Sequence, residues 1–420
     1  MEEKRFSYPK TFLLGFGFFG VSIIWAIYNA FVPLILDRQF GLSAFWIAIF
    51  MVLDNLAAVL IQPWVGAWSD RLRTPLGRRL PFILIGAPVA AIAFGLMPLS
   101  SSLVLFVLTA TTVLVSMAFW RTPVIALMPD ITPSAQRSQA NGIINFMGGL
   151  ASVISFAVGS QLYAKNPNYA FWLGSALVTL SAILVLVFIR EPKEYSTRDD
   201  QKAERPDVWK SITSVFAEEE RSAARMLTAI LFWFLSWYAI ETFFTLYAVK
   251  HLGLGEADAA FQLTYVSLIF LVFAIPSGYI AAKFGRKRTI ITGIVMMIVS
   301  LGLMYVLPPS ITVGARIASV TKTAGIYPVS FILMLAGFAW SLININSLPM
   351  VVDMTTDENL GAYTGLYYFS SQTAAVVGPL AFGAAVQFSG NNYNLMMLIS
   401  PIFLLFALAM MVGVRRGEAK

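Results

Sequence analysis

Hydrophobic residues along this chain come in long runs separated by short polar stretches. A helix crosses the hydrocarbon core of a bilayer with about 20 apolar residues. Runs of that size occupy Phe12–Leu36, Phe45–Trp68, Pro81–Leu99, Leu103–Met128, Asn141–Tyr163 and Tyr169–Ile189. Six more follow at Met226–Val249, Ala260–Ala282, Thr289–Leu307, Ile326–Val352, Gly361–Phe388 and Tyr393–Val414. The pattern predicts an all-α membrane protein with twelve spans, because barrel strands are only about 10 residues long and alternate. The first run is longer than the apolar part of a signal peptide and lacks a clear cleavage site, so it is expected to stay as span 1.

Between the sixth and seventh runs the chain turns charged and mixed. The expected organisation is an N-terminal six-helix half over 1–189, a cytoplasmic linker over 190–225, and a C-terminal six-helix half with a short tail over 226–420. Part of the linker is expected to form a surface helix.

Composition agrees: 58% of the 420 residues are hydrophobic and 12% charged, against roughly 25% charged in soluble domains. The net charge of +7 does not imply nucleic acid, because the basic residues sit in loops and form no stripe with interleaved aromatics. Of 29 Lys and Arg, 23 fall at the termini and in alternate loops, against five in the opposite loops: Arg38, Lys165, Lys250, Arg316 and Lys322. The positive-inside rule then places both termini in the cytoplasm. The chain has no cysteine and a single histidine, His251, so neither a disulfide nor a zinc site of several His and Cys ligands can be assembled. No nucleotide loop, metal cluster or nucleophile–histidine pair is present, so neither an enzyme nor a cofactor is expected.

The loop after span 2 carries Gly66-Ala67-Trp68-Ser69-Asp70-Arg71, then Gly77-Arg78-Arg79. A weaker copy after span 8 has Gly278, then Lys283-Phe284-Gly285-Arg286-Lys287-Arg288. Span 4 ends in Pro129-Asp130 and span 10 in Val352-Asp353, and twelve residues beyond each aspartate stands a glycine, Gly142 and Gly365. This duplicated G-x-x-x-D-R…G-R-R pattern resembles the major facilitator superfamily. The resemblance implies two pseudo-symmetric six-helix halves with a substrate site near the midplane. It also implies gating by Asp70, Arg71, Asp130, Arg137 and Asp353, with Asp70 capping the start of span 11 near Gly361. Arg78 and Arg79 either gate with them or only enforce topology. Ala282 replaces Asp70 in the second copy, so an asymmetric closure is expected.

Two longer stretches narrow the likeness: Gly77-Arg78-Arg79-Leu80-Pro81-Phe82-Ile83-Leu84-Ile85-Gly86, and Arg121-Thr122-Pro123 to Asp130 followed by Ala140-Asn141-Gly142. These resemble the glycoside–pentoside–hexuronide:cation symporters, especially the branch of sucrose and proton-associated sugar transporters. Melibiose-type relatives carry two aspartates a turn apart in helix 2; here Asp54 matches the first and Ala58 replaces the second. Sucrose transporters carry an Asp and an Arg in helix 4 where Leu114 and Ile125 stand, and Arg121 lies a turn earlier.

Ionisable groups inside spans are costly and point to function or to a buried pair. Asp54, Glu241 and Arg121 are the three here, taken as proton-coupling candidates. A carboxylic acid favours its neutral form in an apolar seal and its ionised form near water or a cation, which is what proton carriage requires. With one aspartate missing, the site offers sodium a thin cage. Sugars need amides, hydroxyls and aromatic faces. Trp25, Asn29, Asn55, Asn145, Trp237, Asn344, Tyr368 and Gln372 are the substrate-binding candidates, though such residues also bind membrane helices together. Asn55 could instead steady the Asp54 carboxylate, and of Asn344 and Asn346 at most one should face a cavity.

The expected activity is proton-coupled uptake of a disaccharide or other glycoside by alternating access. The expected setting is the plasma membrane, as a monomer, with sodium a weaker candidate for the coupling ion. A drug or metabolite exporter of the same fold is the alternative, and a non-transporting sensor the alternative of another class. Single cysteines at Ser196 and Lys165 should react with an impermeant maleimide from opposite sides of the membrane. Labelling of both from outside intact cells would contradict the topology.

Overall fold

A computed structural model describes residues 7–132, 136–191, 213, 215, 220–356 and 359–418. Most of the expected 190–225 linker lies outside the described residues. Helix is the dominant element because a lipid solvent cannot hydrogen-bond the backbone, so each spanning segment must satisfy its own N–H and C=O groups. Twelve helical segments are long and apolar enough to cross a membrane among the described residues.

The first six spans are α1 (Tyr8–Arg38), α2 (Ala44–Met51) continued by α3 (Leu53–Arg71), α4 (Leu80–Leu96), α5 (Leu103–Ile131), α6 (Arg137–Ile154) continued by α7 (Ser160–Lys165), and α8 (Pro167–Phe188). The next six are α9 (Ser222–Lys250), α10 (Glu256–Phe284), α11 (Arg286–Val306), α13 (Pro328–Val352), α14 (Leu360–Phe388) and α15 (Leu395–Val412). The short helix α12 (Pro309–Thr312) lies between α11 and α13. Starts are set by familiar chemistry. Ser102 Oγ accepts Leu105 N–H at 3.3 Å, Asn166 Oδ1 accepts Asn168 N–H at 2.9 Å, and Pro81, Pro167 and Pro328 sit in first turns, where a missing N–H costs nothing.

Span 2, expected as one helix, is interrupted at Val52. Span 5 contains a π-helical turn at Ser155–Gly159. The segment before span 10 holds a small antiparallel hairpin, β1 (Ala318–Ser319) paired with β2 (Gly325–Ile326), that the sequence did not announce. Buried groups of α10 anchor it. Gln262 Nε2 donates to Asp258 Oδ1 at 2.9 Å and to the Gly325 carbonyl at 3.1 Å, and Tyr327 donates to Asp258 Oδ2 at 2.6 Å. Burial, helped by that bond to a carboxylate, pushes the Tyr327 phenol up to about 12.

The described residues fall into two compact units, within Met1–Phe40 and Leu53–Asp200 for the first and within Gly41–Val52 and Gln201–Lys420 for the second. In the first, α1 packs on α6 and α8, α4 on α5 and α8, and α3 on α5. In the second, α9 packs on α14 and α15, α11 on α13 and α15, and α10 on α13. The pairing of spans 1 to 6 thus recurs in spans 7 to 12, giving two pseudo-symmetric six-helix sets. Segment α2 packs on α14, within the second unit.

Close backbone approach sets one contact in the second unit. At Gly378 of α14, an added Cβ would stand 2.8 Å from the Leu235 carbonyl oxygen of α9. Backbone cannot yield as a side chain can, and overpacking costs about 1–3 kcal/mol. Gly378→Ala should therefore lower the thermal midpoint in detergent. Gly302→Ala in α11, which meets nothing within 4 Å, should leave it unchanged or raise it slightly through helix propensity. Equal midpoints for the two variants would contradict the packing.

Candidate functional site

The loop between α3 and α4 is built around two anions. Gly77 has φ +110°, and a Cβ there would lie 2.5 Å from Glu191 Cδ, so glycine is required twice over. The turn it permits points three successive N–H groups at the Glu191 carboxylate: Arg78 at 2.9 Å, Arg79 at 2.8 Å and Leu80 at 2.7 Å. These are the open donors of the α4 N-terminus, where the helix dipole also favours negative charge. The second anion is Asp130 in the last turn of α5. Its Oδ1 takes Arg78 NH2 at 2.6 Å and its Oδ2 takes Arg79 Nε at 2.9 Å. Arg79 reaches further to Asp70 Oδ1 at 2.5 Å and to Ser69 Oγ. Both arginines are buried.

Arg137 holds the end of α5 from the side, donating to the Pro129 carbonyl at 3.0 Å and the Thr132 carbonyl at 3.3 Å. Arg71 is exposed and makes no hydrogen bond or ion pair among the described residues. The second unit repeats the plan with fewer charges. Gly285 has φ +93°, Arg286 and Lys287 N–H donate to Glu418 at 2.7 and 3.0 Å, and Arg286 pairs with Asp353. Glu191 and Glu418 escaped the sequence reading. Their signal was present: each follows the last apolar run of its half within a few residues of an arginine, Arg190 and Arg416.

Among the proton-coupling candidates, Asp54 stands in the first turn of α3, half-buried. Its Oδ1 accepts both the backbone N–H of Asn55 at 2.6 Å and the Asn55 side-chain amide at 2.7 Å. Tyr28 of α1, fully buried, lies within electrostatic range of that carboxylate. The Tyr28 hydroxyl and the Trp25 indole N–H have no hydrogen-bond partner among the described residues, and the two rings meet edge to face at 5.7 Å. Asn29, a turn past Trp25, is half-buried. Arg121 lies half-buried on α5 beside Thr122, which faces Gly66 of α3. Asn145 is exposed on α6 and donates to the Asn141 carbonyl at 2.9 Å.

In the second unit an aromatic cluster gathers Trp237 and Tyr368 with four residues the sequence did not single out. Trp237 stacks on Trp340 at 4.0 Å with planes 1° apart. Phe234 contacts Trp340, Tyr238 and Tyr367, and Tyr367 contacts Tyr368. Phe234 and Tyr238 share the 3- and 4-residue spacing of Trp237 and Glu241, which could have found them; Trp340 and Tyr367 needed the neighbouring helices. Glu241 is half-buried one turn beyond Trp237. Gln372 Oε1 is buried without a hydrogen-bond partner among the described residues. Asn346 is spent on packing, donating to Ser277 Oγ at 2.9 Å, while Asn344 is half-buried on another face. His251, at the end of α9, stacks on Tyr247, and burial lowers its pKa.

A family model described as Major Facilitator Superfamily matches residues 14–327 and 251–420. The chain belongs to that superfamily: it is a multi-pass membrane transporter and not an enzyme. Its relatives include the tetracycline resistance protein, class B, of Escherichia coli, 24% identical over 81% of this chain and 79% of that protein. The general alpha-glucoside permease of Schizosaccharomyces pombe is 23% identical over 61% of this chain and 52% of the permease. The sucrose transport protein SUC3 of Arabidopsis thaliana is 22% identical over 41% of this chain and 35% of that protein. Among solved structures, a bacterial homolog of the human lysosomal transporter Spinster superposes with a TM-score of 0.72 at 14% identity, covering 97% of both chains. The nucleoside transporter NupG gives 0.73 at 14% identity, covering 97% of this chain and all of that one. These likenesses establish the major facilitator fold.

The charge network makes a quantitative expectation. Asp130 is the shared partner of two buried guanidiniums, so Asp130→Asn should destabilise the protein by about 3–5 kcal/mol. Asp70, 58% exposed at its side chain, should cost about 0–1 kcal/mol as Asp70→Asn. Thermal unfolding in detergent compares them; a larger loss for Asp70→Asn would contradict the network.

Proposed function

We propose that this transporter is a proton-coupled sugar symporter of the glycoside–pentoside–hexuronide:cation type, taking up a disaccharide or other glycoside by alternating access. The observation that carries it is the group of polar atoms around Asp54. A carboxylate inside a span stands by the buried Tyr28 hydroxyl, with the unpartnered Trp25 indole N–H one turn away. Leaving donors buried and unpaired costs about 1–3 kcal/mol each. Hydroxyl-rich substrates can recover that cost, whereas an apolar drug cannot. The aromatic cluster of Trp237, Trp340 and Tyr368 offers faces on which a sugar ring can stack. The α-glucoside permease and sucrose transport protein among the relatives support the same substrate class.

Asp54 is the proton carrier in this account, with Glu241 the alternative and Arg121 a charge that tunes the path. Trp25, Asn29, Asn55, Asn145, Trp237, Asn344, Tyr368 and Gln372 are the candidate sugar contacts. Asp70, Arg71, Arg78, Arg79, Asp130, Arg137 and Asp353 serve the cytoplasmic gate, and the halves 1–189 and 226–420 are joined by the 190–225 linker. The protein works as a monomer in the plasma membrane, with both termini in the cytoplasm.

Export of a drug or metabolite is the second reading. The tetracycline resistance protein favours it, since that match covers 81% of the chain. A panel of radiolabelled glycosides and of tetracycline, offered to proteoliposomes with and without an imposed pH gradient, separates the two. Accumulation of a glycoside that depends on an inward proton gradient is the expected result; gradient-driven tetracycline movement alone would replace symport by export. Asp54→Asn should abolish accumulation and keep counterflow exchange, because exchange needs no net proton movement. A mutant that still concentrates sugar would remove Asp54 from the role and move the test to Glu241→Gln.

A further inference from the structure

Span 2 covers Ala44–Arg71, yet its helix stops at Met51 and restarts at Leu53. Helix interruptions have identifiable causes: proline, glycine or serine pairs, π-bulges, or a side chain inserted into the hydrogen-bond ladder. Pro63 lies ten residues beyond the restart and Gly66 further still, so neither accounts for the break. The fourth cause fits. In an unbroken helix Asn55 N–H would donate to the Met51 carbonyl. Here it donates to Asp54 Oδ1 at 2.6 Å instead, and the Asn55 side-chain amide adds a second bond to the same oxygen at 2.7 Å. Val52, between the two segments, sits at φ −84° and ψ −7°, still in the right-handed helical region, and its N–H donates to the Ala48 carbonyl at 3.1 Å.

We propose that Asp54 and Asn55 form a charge-dependent break in span 2, in which the ionised carboxylate holds the helix open at Val52 and protonation lets it close. This deepens the proton-carrier reading of Asp54 and rests on it. The physical basis is the difference between the two forms of the acid. An ionised carboxylate makes hydrogen bonds about twice as strong as a neutral acceptor does. It also stands at the start of α3, where the helix dipole favours a negative charge. Protonation removes both effects, and the Met51 carbonyl becomes the better acceptor for Asn55 N–H. Asn55 is then a positioning residue: it links the charge of Asp54 to the course of the backbone.

Three neighbouring elements bear on this stretch of span 2. From α1 the Tyr28 hydroxyl lies within electrostatic range of Asp54. On α5 the nearest charge along the helix is Arg121, next to Thr122, which meets Gly66. Helix α14, on which α2 packs, carries no charged residue. The break also falls at the division of the chain, since α2 belongs to the second unit and α3 to the first.

The sequence Asp-Asn occurs once, at Asp54-Asn55. Labelling aspartate with 13C at the carbonyl and asparagine with 15N isolates the Asn55 amide in solid-state NMR of the full chain in bilayers. The expected result is a downfield amide proton at alkaline pH that moves upfield, toward ordinary helical values, as the medium is acidified. In Asp54→Leu, observed with 13C-carbonyl leucine, the signal should be helical and independent of pH. A pH-invariant Asn55 amide in the wild type overturns the proposal, as does an unchanged titration in Asp54→Leu. The transport reading fails separately. If Asp54→Asn loses accumulation while the wild-type amide is invariant, Asp54 carries the proton but the break is not its switch. If the amide titrates and Asp54→Asn still accumulates sugar, the break stands and the carrier lies elsewhere.

Discussion

A bilayer core offers no hydrogen bonds, and the rest of this molecule follows from that constraint. Backbone groups must be satisfied within each segment, which makes the spans helical. Charges must be grouped or placed where they work. The loop between α3 and α4 lies outside the spans, and its charges are grouped because they are buried in protein. Asp130 serves Arg78 and Arg79 together, and Glu191 takes three N–H groups that would otherwise be open at the start of α4. Ions that would be unfavourable singly are held as one hydrogen-bonded set. Asp54 stands inside a span, where its Oδ1 accepts the N–H and the side-chain amide of its own neighbour, Asn55.

The duplication reuses this chemistry without copying it whole. Glycine at positive φ, a carboxylate over the following helix start, and an arginine paired with the aspartate at the end of the preceding long helix appear in both units. The first unit has two buried arginines on Asp130 and the additional Asp70; the second has one more exposed pair and Ala282 in the place of Asp70. A buried hydrogen-bonded set resists separation far more than an exposed ion pair does. The two loops should therefore differ in firmness although their backbones follow one plan.

Much of the fold was legible in the sequence because apolar run length is a strong signal in a membrane protein. All twelve spans lie where the runs predicted, and Gly77, Gly285, Asp130 and Asp353 occupy equivalent places as their spacing implied. The interruption at Val52 was not legible, since no proline or glycine marks it in the sequence. The hairpin at Ala318–Ile326 was hidden because its anchors, Asp258 and Gln262, lie more than fifty residues away. At the candidate site, Trp25, Trp237 and Tyr368 were visible as aromatics at helical spacing. Trp340 and Tyr367 acquire meaning only when α9, α13 and α14 pack together. Substrate choice was least legible, because aromatic and amide side chains serve sugar binding and helix packing alike.

The proposed symport turns on one event, the loading of Asp54 with a proton that crosses together with sugar. The most direct test is to watch the proton itself. Weakly buffered proteoliposomes holding the transporter and no imposed gradient are given an external glycoside that they take up, and the external pH is recorded. The account predicts an alkalinisation that is abolished by a protonophore, absent with Asp54→Asn, and indifferent to replacing sodium by potassium. Glycoside entry with no change of external pH, or entry that requires sodium, would contradict it.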